Sequence, residues 1–180
     1  MKNNKCLFSK LILGCLLIVL AGCASPASKE GMVAHNVPVS NKFDKTITVR
    51  TQGGSETGVA DSSNIDNKDL ASAIEQSIIE NGLFTQVIHG NDSDYLLSVS
   101  IIDISKPMFG ASFTVTLEAG WALREQKTKK VIMKDSIKTS YTATMGQSLI
   151  GVKRLRLAVE GTVRENIKKG LLKISELPLN

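Results

Sequence analysis

From residue 43 onward, apolar positions recur with a period of two or of three to four, and each change of period marks a new element. Phe43, Ile47 and Val49 fall on one side of an extended run, with Asp44, Thr46 and Thr48 on the other, as a half-buried strand requires. Residues 52–64, with Gly53-Gly54, Gly58 and Ser62-Ser63, read as loop. Asp66 can then cap a helix striped by Leu70, Ala73, Ile74, Ser77 and Ile78. Asn81-Gly82 stops it, since glycine takes the left-handed conformation without strain. A short strand over 83–88 and a turn over 89–94 follow. In 95–105, Tyr95, Leu97, Val99 and Ile101 alternate with Leu96, Ser98 and Ser100. Ile102 and Ile104 break that phase, which predicts a bulge. Phe113, Val115, Leu117, Ala119, Trp121 and Leu123 give the cleanest alternation in the chain and place both aromatic residues in the core. After a polar turn over 126–130, Val131, Met133, Ile137 and Tyr141 face inward, and Asp135 is the one conflict on that side.

The last element has the strongest helical period. Val152, Leu155, Val159, Val163, Ile167, Gly170, Ile174 and Leu177 recur every three or four residues. Lys153, Arg154, Glu160, Arg164, Glu165, Lys168 and Lys169 form the other side, a solvated face with Glu160–Arg164 and Glu165–Lys169 at favourable spacing. Gly161 and Gly170 each cost ~1 kcal/mol against alanine in a helix, which predicts close packing against a neighbour. Pro178 ends the run. The order β-α-β-β-β-β-α predicts an α+β fold: a two-layer sandwich with a mainly antiparallel sheet of about five strands and two helices on one face. The first strand–helix–strand unit should be a right-handed crossover, and the other sheet face is Ser/Thr-rich and open.

Residues 24–42 have no apolar period and carry Pro26, Gly31 and Pro38. They read as a flexible tether spanning on the order of 25 Å, or alternatively as an ordered edge strand around 32–39. Ahead of them, Lys2, Lys5 and Lys10 precede an uncharged stretch over 11–21 that ends in small residues. A basic start, a short apolar core and a small-residue exit make a secretory signal peptide. The stretch is too short to span a bilayer, which needs ~20 residues in a helix.

Leu20-Ala21-Gly22-Cys23 resembles the lipobox of bacterial lipoproteins. The resemblance implies cleavage after Gly22, a diacylglycerol on the Cys23 sulfur and a palmitate-type chain on its amine. Two or more acyl chains hold a protein at a membrane where one does not. The chain then divides into a signal peptide (1–22), a lipidated cysteine and tether (23–42) and a single periplasmic domain (43–180). Ala24 rather than Asp after the cysteine implies, among lipoproteins with this leader, the periplasmic face of the outer membrane, with the inner membrane second.

The leader alters the charge. The full chain has 22 Lys and Arg, 17 Asp and Glu, and a net charge of +5; without the three leader lysines, 19 basic residues face 17 acidic ones. The basic excess that would suggest nucleic acid mostly vanishes. Cys6 and Cys15 leave too, so Cys23 has no disulfide partner. A packed core must stabilise the remaining 158 residues, an ordinary size for one domain.

With Asn81-Gly82-Leu83-Phe84, Asp94-Tyr95-Leu96-Leu97, the long alternating strands and the basic last helix, the chain resembles small outer-membrane lipoproteins of the YajG type. More loosely, it resembles auxiliary lipoproteins of lipid-transport ABC systems and the lipoprotein partner of the lipopolysaccharide translocon. Residues 154–161 with 164–167 are similar to a subgroup sometimes labelled sugar-nucleotide acyltransferases, but no hexapeptide repeat or catalytic histidine accompanies them.

Residue chemistry points away from catalysis. Residues 146–151 have one residue too many for Gly-x-Ser-x-Gly, and His35 and His89 both precede Ser148. The same stretch is not a phosphate loop, because Val152 separates Gly151 from Lys153; Gly151, Lys153 and Arg154 could still hold an anion at a helix start. His89, Asn91, Asp92 and Asp94 could ligate a metal, but as a tight turn they need none. We therefore expect no catalytic residue, metal or cofactor. One feature stands out. The turn 106–111 and the loop 145–151 should share one end of the sheet, displaying Met108, Phe109, Met145, Leu149 and Ile150. Such a cluster is either a partner-binding rim or a small core folded over the helix ends. The function expected is a non-enzymatic, lipid-anchored adaptor in an envelope transport or assembly complex, partnered by the membrane through Cys23 and by an envelope protein. The alternatives are a carrier of lipid or small amphiphiles between sheet and helices, and, third, an enzyme such as an acyltransferase.

Overall fold

The structure, a computed structural model, describes residues 26–55 and 64–179. The predicted leader, Leu20, Ala21, Gly22 and Cys23, and positions 56–63 of the predicted loop lie outside them. In chain order the elements are α1 (Lys29–Met32), β1 (Phe43–Gln52), α2 (Asn67–Asn81), β2 (Phe84–Val87), β3 (Tyr95–Ser105), β4 (Phe113–Glu125), β5 (Val131–Ala143) and α3 (Gly151–Ser175). Local chemistry sets the bounds of α2 as expected. Asp66 accepts from the Lys68 and Asp69 amides, and Gly82, at φ 61°, closes the far end in the left-handed conformation.

The five strands form one sheet in the order β2-β1-β3-β4-β5, with two long helices, giving the predicted α+β sandwich. The sheet is mixed: β3, β4 and β5 are antiparallel neighbours over long registers, while β1 runs parallel to both β2 and β3. β2 pairs with the first half of β1 and stops at Ile47, and β3 begins level with that residue on the other side. A parallel connection ordinarily takes a dozen residues or more. Here 88–94 suffices, crossing β1 where the Thr48 hydroxyl donates to the Ile88 carbonyl at 2.7 Å. The predicted bulge lies at Ile102, where the β3–β4 register shifts between Ile101 and Asp103. An unpredicted second one, opposite Leu123 and Arg124, turns Val131 outward instead of inward.

Trp121, Ile47, Leu97, Leu123, Ile167 and Ile174 fill the space between sheet and helices, each less than 2% exposed. The two interior glycines of α3 are close-approach sites, Gly161 against the Tyr141 ring and Gly170 against the Trp121 ring. Trp121 donates from its indole nitrogen to Asn166 Oδ1 at 2.8 Å, and Asn166 Nδ2 donates to the Ile137 carbonyl of β5. Asp135 is accommodated by Lys173, whose Nζ lies 2.6 Å from Oδ2.

Residues 26–42 are neither a tether nor an edge strand. Ala27, Met32, Val33, Ala34 and Val37 are buried, and the segment straps the helices together. On α3, Glu160 Oε1 accepts from the amide and hydroxyl of Ser28 at 2.9 and 2.8 Å, and Arg164 donates to the Gly31 carbonyl. On α2, Ser77 Oγ accepts from the Ala34 amide, and Asn81 Oδ1 from that of Val37. The Ser40 amide then reaches Ser175 Oγ at the far end of α3. The segment lacks apolar period because its backbone, rather than a repeating side-chain face, makes these bonds.

The strap also corrects the predicted solvated face of α3. Glu160 is buried, and its ion-pair partner is Arg156 at 3.5 Å rather than Arg164. Arg154 is buried as well, while Val152, expected inside, is exposed.

Candidate functional site

β4 begins where β5 ends, with Phe113 paired to Ala143, so the turn 106–112 and the loop 144–150 meet at one end of the sheet. Of the two readings of this end, a small core is not what forms. Met108, Phe109, Leu149 and Ile150 are 83, 86, 80 and 66% exposed, and Met145 is 49% exposed.

Exposed side chains on slack loops would mean little, but these loops are fixed from beneath. The N-cap of α3 is Ile150, which offers no side-chain cap. Arg154, one turn in, supplies the ties. Its Nη1 donates to the Ser148 carbonyl at 2.8 Å and, more weakly, to that of Leu149; its Nη2 donates to the Gly110 carbonyl at 3.2 Å. The guanidinium lies 4.9 Å from the centroid of the Phe113 ring, a cation–π distance. One buried cation thus joins both loops. Gln147 adds to it, accepting from the Thr144 amide and donating to the Tyr141 hydroxyl. Periodicity placed Arg154 on the solvated face. The available signal was its position, four residues after an uncapped helix start flanked by apolar loop residues.

The other candidates separate. The His89 ring is 3.6 Å from Glu75, and Asn91 accepts from Arg50. Asp94 accepts from the amide and hydroxyl of Thr46, both at 2.8 Å, and these bonds hold its carboxyl below the usual range. Among the described residues, no group of three or more His, Cys, Asp or Glu is placed to hold a metal ion. Ser148 bonds within its own turn, to the amide and carbonyl of Ile150, and His35 pairs with Glu80 at 2.5 Å. The uncovered sheet face carries hydroxyl pairs Thr114–Thr142 and Thr116–Ser140, both at 2.8 Å. It also carries a shallow groove of about 640 Å³ over Ser98, Ser100, Gly120 and Ala122. No helix among the described residues is long and apolar enough to cross a membrane.

No family model matches the sequence, and no curated protein is similar to it. Solved structures do share the fold. A Xanthomonas campestris protein of family DUF330 superimposes at TM-score 0.60 with 13% identity, over 77% of this chain and 87% of that one. A hypothetical protein from Chlamydia trachomatis superimposes at 0.57 with 4% identity, over 75% and 98%. Rare lipoprotein B from Shewanella oneidensis follows at 0.44 with 12% identity, over 72% and 93%, too loose a match to argue from. At these identities the likeness is one of fold.

Proposed function

We propose that the protein is a lipid-anchored, periplasm-facing lipoprotein that serves as a non-enzymatic accessory in an envelope transport or assembly complex. The leader ending in Leu20-Ala21-Gly22-Cys23 supports the anchor. The observation that carries the accessory role is the rim, five large apolar side chains standing outside on two loops that Arg154 fixes in place. The carrier reading is disfavoured because Trp121, Leu97, Ile167 and their neighbours occupy the space a ligand would need.

Two measurements test this. Cys23→Ser is expected to release the chain from membrane vesicles on fractionation; continued sedimentation with them would refute the anchor. Phe109→Asp and Ile150→Asp are expected to leave the melting temperature unchanged and to abolish cross-linking to an envelope protein in intact cells. A fall in melting temperature for both would make the rim structural, and recovery of lipid as the sole captured species would favour the carrier.

A further inference from the structure

We propose that the apolar rim seats on the surface of the bilayer that holds the lipid of Cys23, fixing the domain's orientation at the membrane. This rests on the anchored-lipoprotein reading and specifies what the rim touches first.

The argument begins with the length of chain between anchor and fold. Ala27 is already buried, and its amide donates to the Asn64 carbonyl at 3.1 Å. Four residue steps separate it from Cys23, a reach of at most about 14 Å when fully extended. The acylated sulfur therefore cannot stand far from the point where the fold begins. That point is at the rim end of the molecule. Asn64 Oδ1 accepts from Lys106 Nζ at 2.6 Å, and Lys106 opens the turn that carries Met108 and Phe109. A bilayer within reach of Ala27 is a bilayer beside the rim.

Charge agrees with this placement. Residues 106–112 and 144–153 contain no acid and include Lys106 and Lys153, near the apolar residues in sequence. Apolar residues flanked by lysines suit the boundary between acyl chains and anionic headgroups, where amphipathic surfaces sink ~5–10 Å. An envelope partner embedded in the same bilayer would meet the rim at this surface.

The test uses the full, lipidated chain in vesicles of phosphatidylethanolamine and phosphatidylglycerol. Cleavage removes Cys6 and Cys15, and acylation blocks Cys23, so Phe109→Cys and Leu149→Cys each give a single thiol for an environment-sensitive fluorophore. Lys127→Cys, at the other end of β4 and roughly 40 Å away by strand rise, is the control. We expect the labels at 109 and 149 to shift to shorter wavelength and to lose quenching by iodide on reconstitution, and the label at 127 to keep its aqueous emission. Vesicle flotation with all three labels remaining aqueous overturns the seating and leaves the anchor standing. Failure to float overturns both. Aqueous labels at the rim together with a protein cross-linked through position 109 in cells would assign the rim to a protein partner instead.

Discussion

Arg154 shows how much one side chain can organise when its charge is met by carbonyl dipoles rather than by a carboxylate. Replacing it with methionine keeps the stem and removes three donated hydrogen bonds. Each such bond contributes about 1 kcal/mol, and more when a charge is involved. The expected outcome is a loss of about 2–3 kcal/mol in denaturant unfolding and faster proteolysis within 106–112 and 144–150. Unchanged cleavage would show that the loops are fixed by something else. Gly170 gives the opposite test of a familiar rule. On an exposed helix, Gly→Ala stabilises by up to ~1 kcal/mol, but here the added methyl carbon would lie 2.5 Å from the Trp121 ring. Overpacking typically costs 1–3 kcal/mol, so Gly170→Ala should destabilise and perturb the emission of Trp121, the sole tryptophan. The close approach of the two interior glycines of α3 could be read from the sequence, since a residue that weakens a helix needs a packing reason. The burial of Arg154 and Glu160 could not, because periodicity assigns a face and says nothing of the carbonyls and hydroxyls that later meet it.

Between elements, β5 and α3 are joined by Asp135 and Lys173. The hydrogen bond from Lys173, and after it that from the Ser136 amide, holds the Asp135 carboxyl below its ordinary range; the same contact raises Lys173. Glu80 is lowered by Gln76 and then His35, and Asp94 by the two bonds from Thr46. All three carboxyls titrate lower in the folded chain, so the unfolded chain takes up protons first as pH falls. Their contribution is whole above the ordinary carboxylate pKa and disappears as pH drops through the lowered folded values. Stability should therefore decline on the acid side, and Lys173→Met should move the Asp135 titration, followed by carboxyl NMR, up towards the ordinary value. An unmoved titration would refute the assignment of cause. Because this pair is solvent-exposed, its effect on global stability should be small. The alternating strands, the caps of α2 and the Ile102 bulge were legible from local pattern. The parallel seating of β1 was not, because it depends on where two other strands stop and start along it.

Over the whole molecule, the segment 26–42 decides where the domain begins. Met32 and Val33 are fully buried, and burying a side chain of this kind stabilises by ~1.5–3 kcal/mol. A chain cut to start at Phe43, the boundary that periodicity suggested, should lose several kcal/mol and its single cooperative melt, as followed by circular dichroism. Full cooperativity in that shortened chain would show the strap to be dispensable.

The strap also imposes an order of events. Ser28 and Ser40 find their acceptors on Glu160 and Ser175, more than 130 positions further along the polypeptide. The strap can therefore close onto α3 only after that final helix exists. Until then the strap has only its bonds to α2, from Ala34 to Ser77 and from Val37 to Asn81, and contacts of such separation form slowly. The newborn chain thus spends its synthesis with its amino-terminal side unclosed, a condition in which a holding chaperone has something to grip and a protease something to cut.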